Sequence, residues 1–157
     1  MKKIYFAALF YMIAGLAAGL FYREFTKASG FTGDSQLTVT HTHLLALGML
    51  FFLGVLALDK IFELSKLRSF TLFFWIYNAG LLLTVAMMFV SGIMTVNGAK
   101  SSAAISGIAG MGHIVITVGL VFLFVALGSR ILGSRILDAR ILDAKAKADS
   151  SSESPQA

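Results

Sequence analysis

The segment TVTHTHLLALGMLFFLGVLAL, residues 38–58, decides the fold. Two histidines, His41 and His43, stand at its mouth, and the fifteen residues after His43 carry no charge, amide or hydroxyl. A buried strand is about 4–8 residues long, whereas a helix crossing roughly 30 Å of hydrocarbon needs about twenty apolar residues. The segment therefore reads as a membrane span over 39–58. Working outward, three more runs have the same character: 4–22, 70–95 and 103–127. The whole chain agrees with them. It is 57% hydrophobic and 13% charged, whereas soluble domains are about a quarter charged. The expectation is an all-α, integral membrane four-helix bundle. Residues 1–128 form the spanning domain. Residues 129–157 form a basic tail, first helical and then disordered.

The net charge of +5 is spent at the ends of the spans and in the tail, which is a membrane pattern and not a nucleic-acid one. With the N-terminus cytoplasmic, Lys2, Lys3, Lys60, Lys66, Arg68, Arg130, Arg135, Arg140, Lys145 and Lys147 lie inside. Arg23, Lys27 and Lys100 lie outside. Ten against three favours this orientation, with both termini in the cytoplasm of a bacterial cell and the chain in its plasma membrane. Residues 23–38 read as a turn-rich outer connector and 59–69 as a short charged inner one. The opening MKK resembles a signal-peptide start. Its apolar run is longer than a usual signal core and lacks an A-x-A site, so a retained helix is expected. The tail repeats Arg130, Arg135, Arg140 and Lys145 at five-residue spacing, which drifts around a helix and builds no single face. The closing DSSSESPQA is compositionally disordered.

The chain has three histidines and no cysteine. Thiolate metal sites, iron–sulfur clusters and disulfides are excluded. His41 and His43 fall at the outer end of the second span, and His113 falls about ten residues, roughly 15 Å, into the fourth. Imidazoles inside spans are candidate functional groups because an unpartnered polar ring is costly in lipid. The plain alternative is that they pack and hydrogen-bond, with no cofactor. No Asp, Glu, Lys or Arg falls within the four spans, which argues against a pump built on buried charge. On a helix His41 and His43 point about 200° apart, so they serve two sites more readily than they chelate one ion. Gly48 lies beneath His41, and Gly54 lies on the side of His43. Gly107, Gly110, Gly112 and Gly119 surround His113; they either admit a flat macrocycle or let helices pack closely. Gly15 and Gly19 read as packing.

Haem needs axial ligands, an apolar slot and partners for its propionates. Leu44, Leu45, Leu47, Phe51, Phe52 and the third-span aromatics would supply the slot, and Arg23, Lys27 and Lys100 the cations. Copper(I) or zinc(II) is the competing metal, with Met111 near His113. Trp75 and Tyr77 look like interface anchors, and neither they nor Asn78 is assigned chemistry. Thr117 can bond the His113 ring or its own backbone.

The stretch THTHLLALGMLFFLG resembles the H-x-H helix of the haem–copper oxidase catalytic subunit, in which two histidines bind different haems on opposite sides of one helix. That subunit is built of three arcs of four spans. The whole chain also resembles a group of small, uncharacterised four-helix bacterial membrane proteins. The resemblance implies a homotrimer with one arc per protomer. His41 of one protomer and His43 of the next would clamp a six-coordinate haem b at each interface. His113 has no counterpart there and could replace one of them as the second axial ligand within one protomer. The subunit's copper site needs a His-His pair and a cross-linked tyrosine that this chain lacks, so oxygen or nitric oxide reduction is not expected. The reading is thus a cytochrome b-like membrane protein with haem iron held by two of His41, His43 and His113. Electron transfer, haem handling or gas sensing fits it better than catalysis, with lipid, other copies of the chain and an unnamed redox partner as neighbours.

Overall fold

The computed structural model describes residues 1–99 and 103–152, and its regular structure over those residues is helical throughout. We number the long helices α1 (Lys2–Ala28), α2 (Leu37–Phe62), α3 (Arg68–Val96) and α4 (Ala103–Ser152). Each contains a stretch long and apolar enough to cross a membrane. The four expected spans are all present, and each extends past its expected limits because the polar flanks continue the helix.

Glycine stops two of them. Gly30, at φ 60°, donates to the Lys27 carbonyl while Phe31 donates to Thr26. Gly98, at φ 75°, donates to Thr95 while Ala99 donates to Met94. Both are the paired closing bonds of a left-handed helix stop. The connector expected over 23–38 therefore shrinks to residues 29–36. The connector expected over 59–69 shrinks to a turn over 63–67 that contains one 3₁₀ turn, Leu64–Lys66. Asp59 accordingly lies in α2 and not in the connector. Its side chain is fully buried. Oδ1 accepts the Ser65 N–H at 2.6 Å, and Oδ2 lies 3.4 Å from the Met1 amine.

α2 is not a plain α-helix. Leu44–Leu50 form a π-helix between the α-helical segments Leu37–His43 and Phe51–Phe62. Bonds from i to i+5 put an extra residue in each turn, so a face counted at 100° per residue loses its phase across this stretch. The tyrosine expected at the membrane surface instead locks it. Tyr77 is buried, stacks on Phe51 with ring centres 4.5 Å apart, and donates its hydroxyl to the Leu47 carbonyl at 2.9 Å.

Packing between helices rests on small residues, as it must where lipid tails are as apolar as leucine and only close approach and hydrogen bonds favour association. α1 meets α2 where Gly15 receives Leu45 and the Tyr11 ring covers Gly48. α3 and α4 share the most extensive interface. Gly112 lies against Thr84, Gly80 against Ile116 and Gly119 against the backbone of Tyr77. Tyr11 also donates to Asn78 Oδ1 at 2.8 Å, tying α1 to α3. Facing outward are large apolar groups, including Phe6, Phe10, Ile13, Leu16, Ile114, Val121 and Phe124. This is the pattern expected of a surface solvated by lipid.

Candidate functional site

The helix contacts set the height of each histidine. Leu37 begins α2 against Gly92, where Ser35 Oγ also donates to the Gly92 carbonyl at 3.1 Å. Fourteen residues on, Phe51 stacks on Tyr77. Between these fixed points His41 and His43 stand opposite residues 85–88 of α3. Gly112 lies against Thr84, so His113 stands opposite residue 83. All three imidazoles thus fall within about 7 Å of one another along the bundle axis, at 1.5 Å per residue. They form a layer roughly 12–20 Å below the Val96 end of α3. The expected depths are corrected in one respect. His41 and His43 are not at the end of the bundle but nearly as deep as His113, because the 29–36 connector docks onto Gly92 and starts α2 below the helix ends.

The three rings differ in surroundings. His41 is half-buried against Gly19 of α1, with its ring atoms 3.7 Å from where a glycine Cβ would stand. Its Nδ1 is buried and has no hydrogen-bond partner. His43 is half-buried, and its Nδ1 lies 2.9 Å from the Val39 carbonyl. His113 is exposed on α4, and its Nδ1 lies 3.0 Å from the Ala109 carbonyl. A carbonyl can only accept, so Nδ1 carries the proton in both of the latter. In the neutral ring Nε2 then carries the lone pair, the form in which imidazole binds a metal. His41 and His43 both lie in the α-helical part of α2, so the angle of about 200° between them stands.

Other expected site features fare unevenly. Leu44 and Phe52 are buried in the core, Leu45 fills the space over Gly15, and Phe51 is stacked on Tyr77. Of these four, Leu45 and Phe52 line neither outer groove, whereas Leu44 also edges the groove between α1 and α3 and Phe51 the one between α2 and α4. Leu47 faces an open apolar groove of about 540 Å³ between α2 and α4, with Leu50, Gly54, Ile61 and Leu123. A second groove, of about 340 Å³ between α1 and α3, is walled by Ala14, Ala17, Ala18, Val85 and Phe89 at the height of the histidine layer. Gly112 and Gly119 are packing residues, while Gly54, Gly107 and Gly110 have open space where a Cβ would stand. Gly15 and Gly19 pack on α2, as read. Thr117 donates to the His113 carbonyl, leaving the ring alone. Arg23 stands one turn beyond Gly19 on α1, about 6 Å from the layer, and Lys27 is exposed at the same end. Lys100 lies outside the described residues. Met111 is exposed, and among the described residues no three of His, Asp and Glu are grouped to hold a metal ion. Sequence reasoning missed the Tyr11–Asn78 and Tyr77–Leu47 bonds. Their signal was present in hydroxyls and an amide set in the middle of apolar runs.

The fold defines an all-α protein with four helices fit to span a membrane and a layer of imidazoles across them. The chain belongs to the family described as Protein of unknown function (DUF2871), whose model matches residues 1–130. No curated protein and no solved structure matches the chain.

Proposed function

We propose that the histidine layer binds haem b, with His43 and His113 as the axial ligands. The observation that carries the reading is their shared state: Nδ1 engaged by the carbonyl one turn back, Nε2 free, both at one height. His41 is turned onto Gly19 of its own protomer and lacks an orienting bond for Nδ1. The structure thus favours His113 over His41 as the partner of His43. Residues present at this level suit a flat, apolar macrocycle: open glycines at 107 and 110, and the apolar groove between α1 and α3 on the bundle's outer surface. Arg23 and Lys27 offer cations to propionates. When bound, haem supplies a one-electron couple. The chain's own groups hold the ring, keep water away from it and fix the imidazole tautomers. The protein is then an electron-transfer or haem-handling protein of a bacterial plasma membrane, with both ends cytoplasmic by the charge count. Exposed His113 is covered by a neighbouring copy in a homotrimer.

The deciding experiment is the visible spectrum of detergent-purified protein, expressed with hemin supplied, before and after dithionite. The expected result is a sharp Soret band with split α and β bands on reduction. It should be lost in His43→Ala and His113→Ala and kept in His41→Ala. Loss in His41→Ala with retention in His113→Ala would move the site to the H-x-H pair. A colourless wild type, or full haem in all three variants, would end the haem reading in favour of a cofactor-free packing protein. Elemental analysis of the colourless protein would then test for copper or zinc.

A further inference from the structure

A second site lies at the other end of the bundle, far from the histidines. α1 and α3 both begin there and run parallel. Between their first turns is a cavity of about 240 Å³ lined by Met1, Lys2, Lys3, Ile4, Ser65, Phe70, Thr71, Phe74 and Trp75. Its chemistry divides by depth. Ile4, Phe70 and Phe74 are buried or half-buried and form an apolar floor, while Trp75 stands 61% exposed at its side. The mouth is cationic. Lys2 and Lys3 are exposed and have no acidic partner among the described residues. The Ser65 and Thr71 hydroxyls are exposed there as well.

Nearby negative charge is already engaged. Asp59 is sealed from solvent between the Met1 amine and the Ser65 N–H. Glu63 is paired with Lys66 at 2.8 Å, and that contact holds its carboxyl below the ordinary carboxylate range. Neither α1 nor α3 has a side-chain cap on its first turn, so the positive ends of both helix dipoles add to the field at the mouth. Trp75 marks the level: an amphipathic indole favours the boundary between headgroups and acyl chains.

We propose that this cavity seats the headgroup of an anionic phospholipid. Lys2 and Lys3 neutralise the phosphodiester, and Ser65 and Thr71 donate to its oxygens. The glycerol and first methylenes lie on Phe70, Phe74 and Trp75. Charge complementarity together with an apolar floor selects a lipid over a free anion. A small anion would gain nothing from Ile4 or Phe74, and a zwitterionic lipid would gain less from the two lysines.

Native mass spectrometry of the delipidated full chain tests this, with phosphatidylglycerol or phosphatidylcholine titrated back in. The expected result is at least about tenfold tighter binding of the first phosphatidylglycerol than of phosphatidylcholine. The preference should be lost in the Lys2→Gln/Lys3→Gln double variant and kept in Lys27→Gln/Lys60→Gln, which removes two cations outside the cavity. Thr71→Trp, which fills the cavity, should block the first lipid while leaving helix content unchanged by circular dichroism. Equal binding of the two lipids, or an equal loss in both double variants, would overturn the proposal. Displacement of phosphatidylglycerol by excess inorganic phosphate would overturn it too, showing an anion site with no lipid selectivity.

Discussion

Asp59 shows how a single carboxylate can be kept inside an apolar bundle. It is buried with one oxygen on the Ser65 N–H and the other facing the Met1 amine. Truncation would leave the Ser65 donor and the amine without their acceptor. Asp59→Ala is therefore expected to lower stability by roughly 2 kcal/mol, and Asp59→Asn, which keeps an oxygen for Ser65, by less. Reversible unfolding in mixed detergent and denaturant measures both, and equal losses would refute the hydrogen-bond account. In the sequence Asp59 looked like the first residue of a connector, because a charge ordinarily ends a span. Its partners come from six residues ahead and from the start of the chain, and nothing local announces them. The same limit applied to Tyr77. An aromatic hydroxyl near a span end reads as a surface anchor, and only the Leu47 carbonyl across the bundle reveals it as a core donor. The histidines were legible as candidates because they are few and lie in apolar surroundings. Which way each ring is engaged was not legible.

For the helices, the close approach of α3 to α4 depends on Gly112. A methyl group there would fall on the Thr84 hydroxyl and within 3.0 Å of the Thr84 backbone nitrogen, which cannot step aside. Gly110, two residues earlier, has open space. Gly112→Ala is expected to destabilise the bundle by about 1–3 kcal/mol through overpacking. Gly110→Ala should be neutral or stabilising by up to about 1 kcal/mol through helix propensity. Thermal melts followed by circular dichroism separate the two, and similar behaviour would mean that α4 is rotated from the orientation described. The glycine cluster was visible in the sequence, but its role was open between ligand access and packing. The structure divides it residue by residue. The π-helix left no readable signal at all. Leu44–Leu50 is an unbroken apolar run, and its wide turns depend on tertiary partners such as Tyr77. The counted relation between His43 and Gly54 fails across it, whereas that between His41 and Gly48 survives because both still face α1.

Across the whole molecule, four long apolar runs, two of them closed by glycine, specify four helices whatever else is true, which is why the architecture could be read from composition and length. Assembly could not, because outward faces solvated by lipid and outward faces covered by another copy are equally apolar. The proposed trimer makes a direct prediction. Three chains of 16.9 kDa, 50.7 kDa by multiplication, should be the dominant mass in native spectrometry after gentle detergent removal. Substitution of the exposed Ile114 and Val118 by alanine should shift it toward monomer if α4 is the contact. A monomer at every detergent concentration would dismiss the trimer and leave the haem reading to stand or fall on its spectrum. α4 has one more consequence, which concerns reach. Among the described residues its candidate span reaches Gly133, and the helix continues to Ser152. Along the axis this carries Arg135 about 3 Å past the span, Arg140 about 10 Å and Lys147 about 21 Å. At physiological ionic strength a charged surface is felt over roughly 8 Å. By helix position alone, Arg135 comes within the electrical shadow that a lipid surface at the level of Gly133 would cast, and Lys147 passes beyond it.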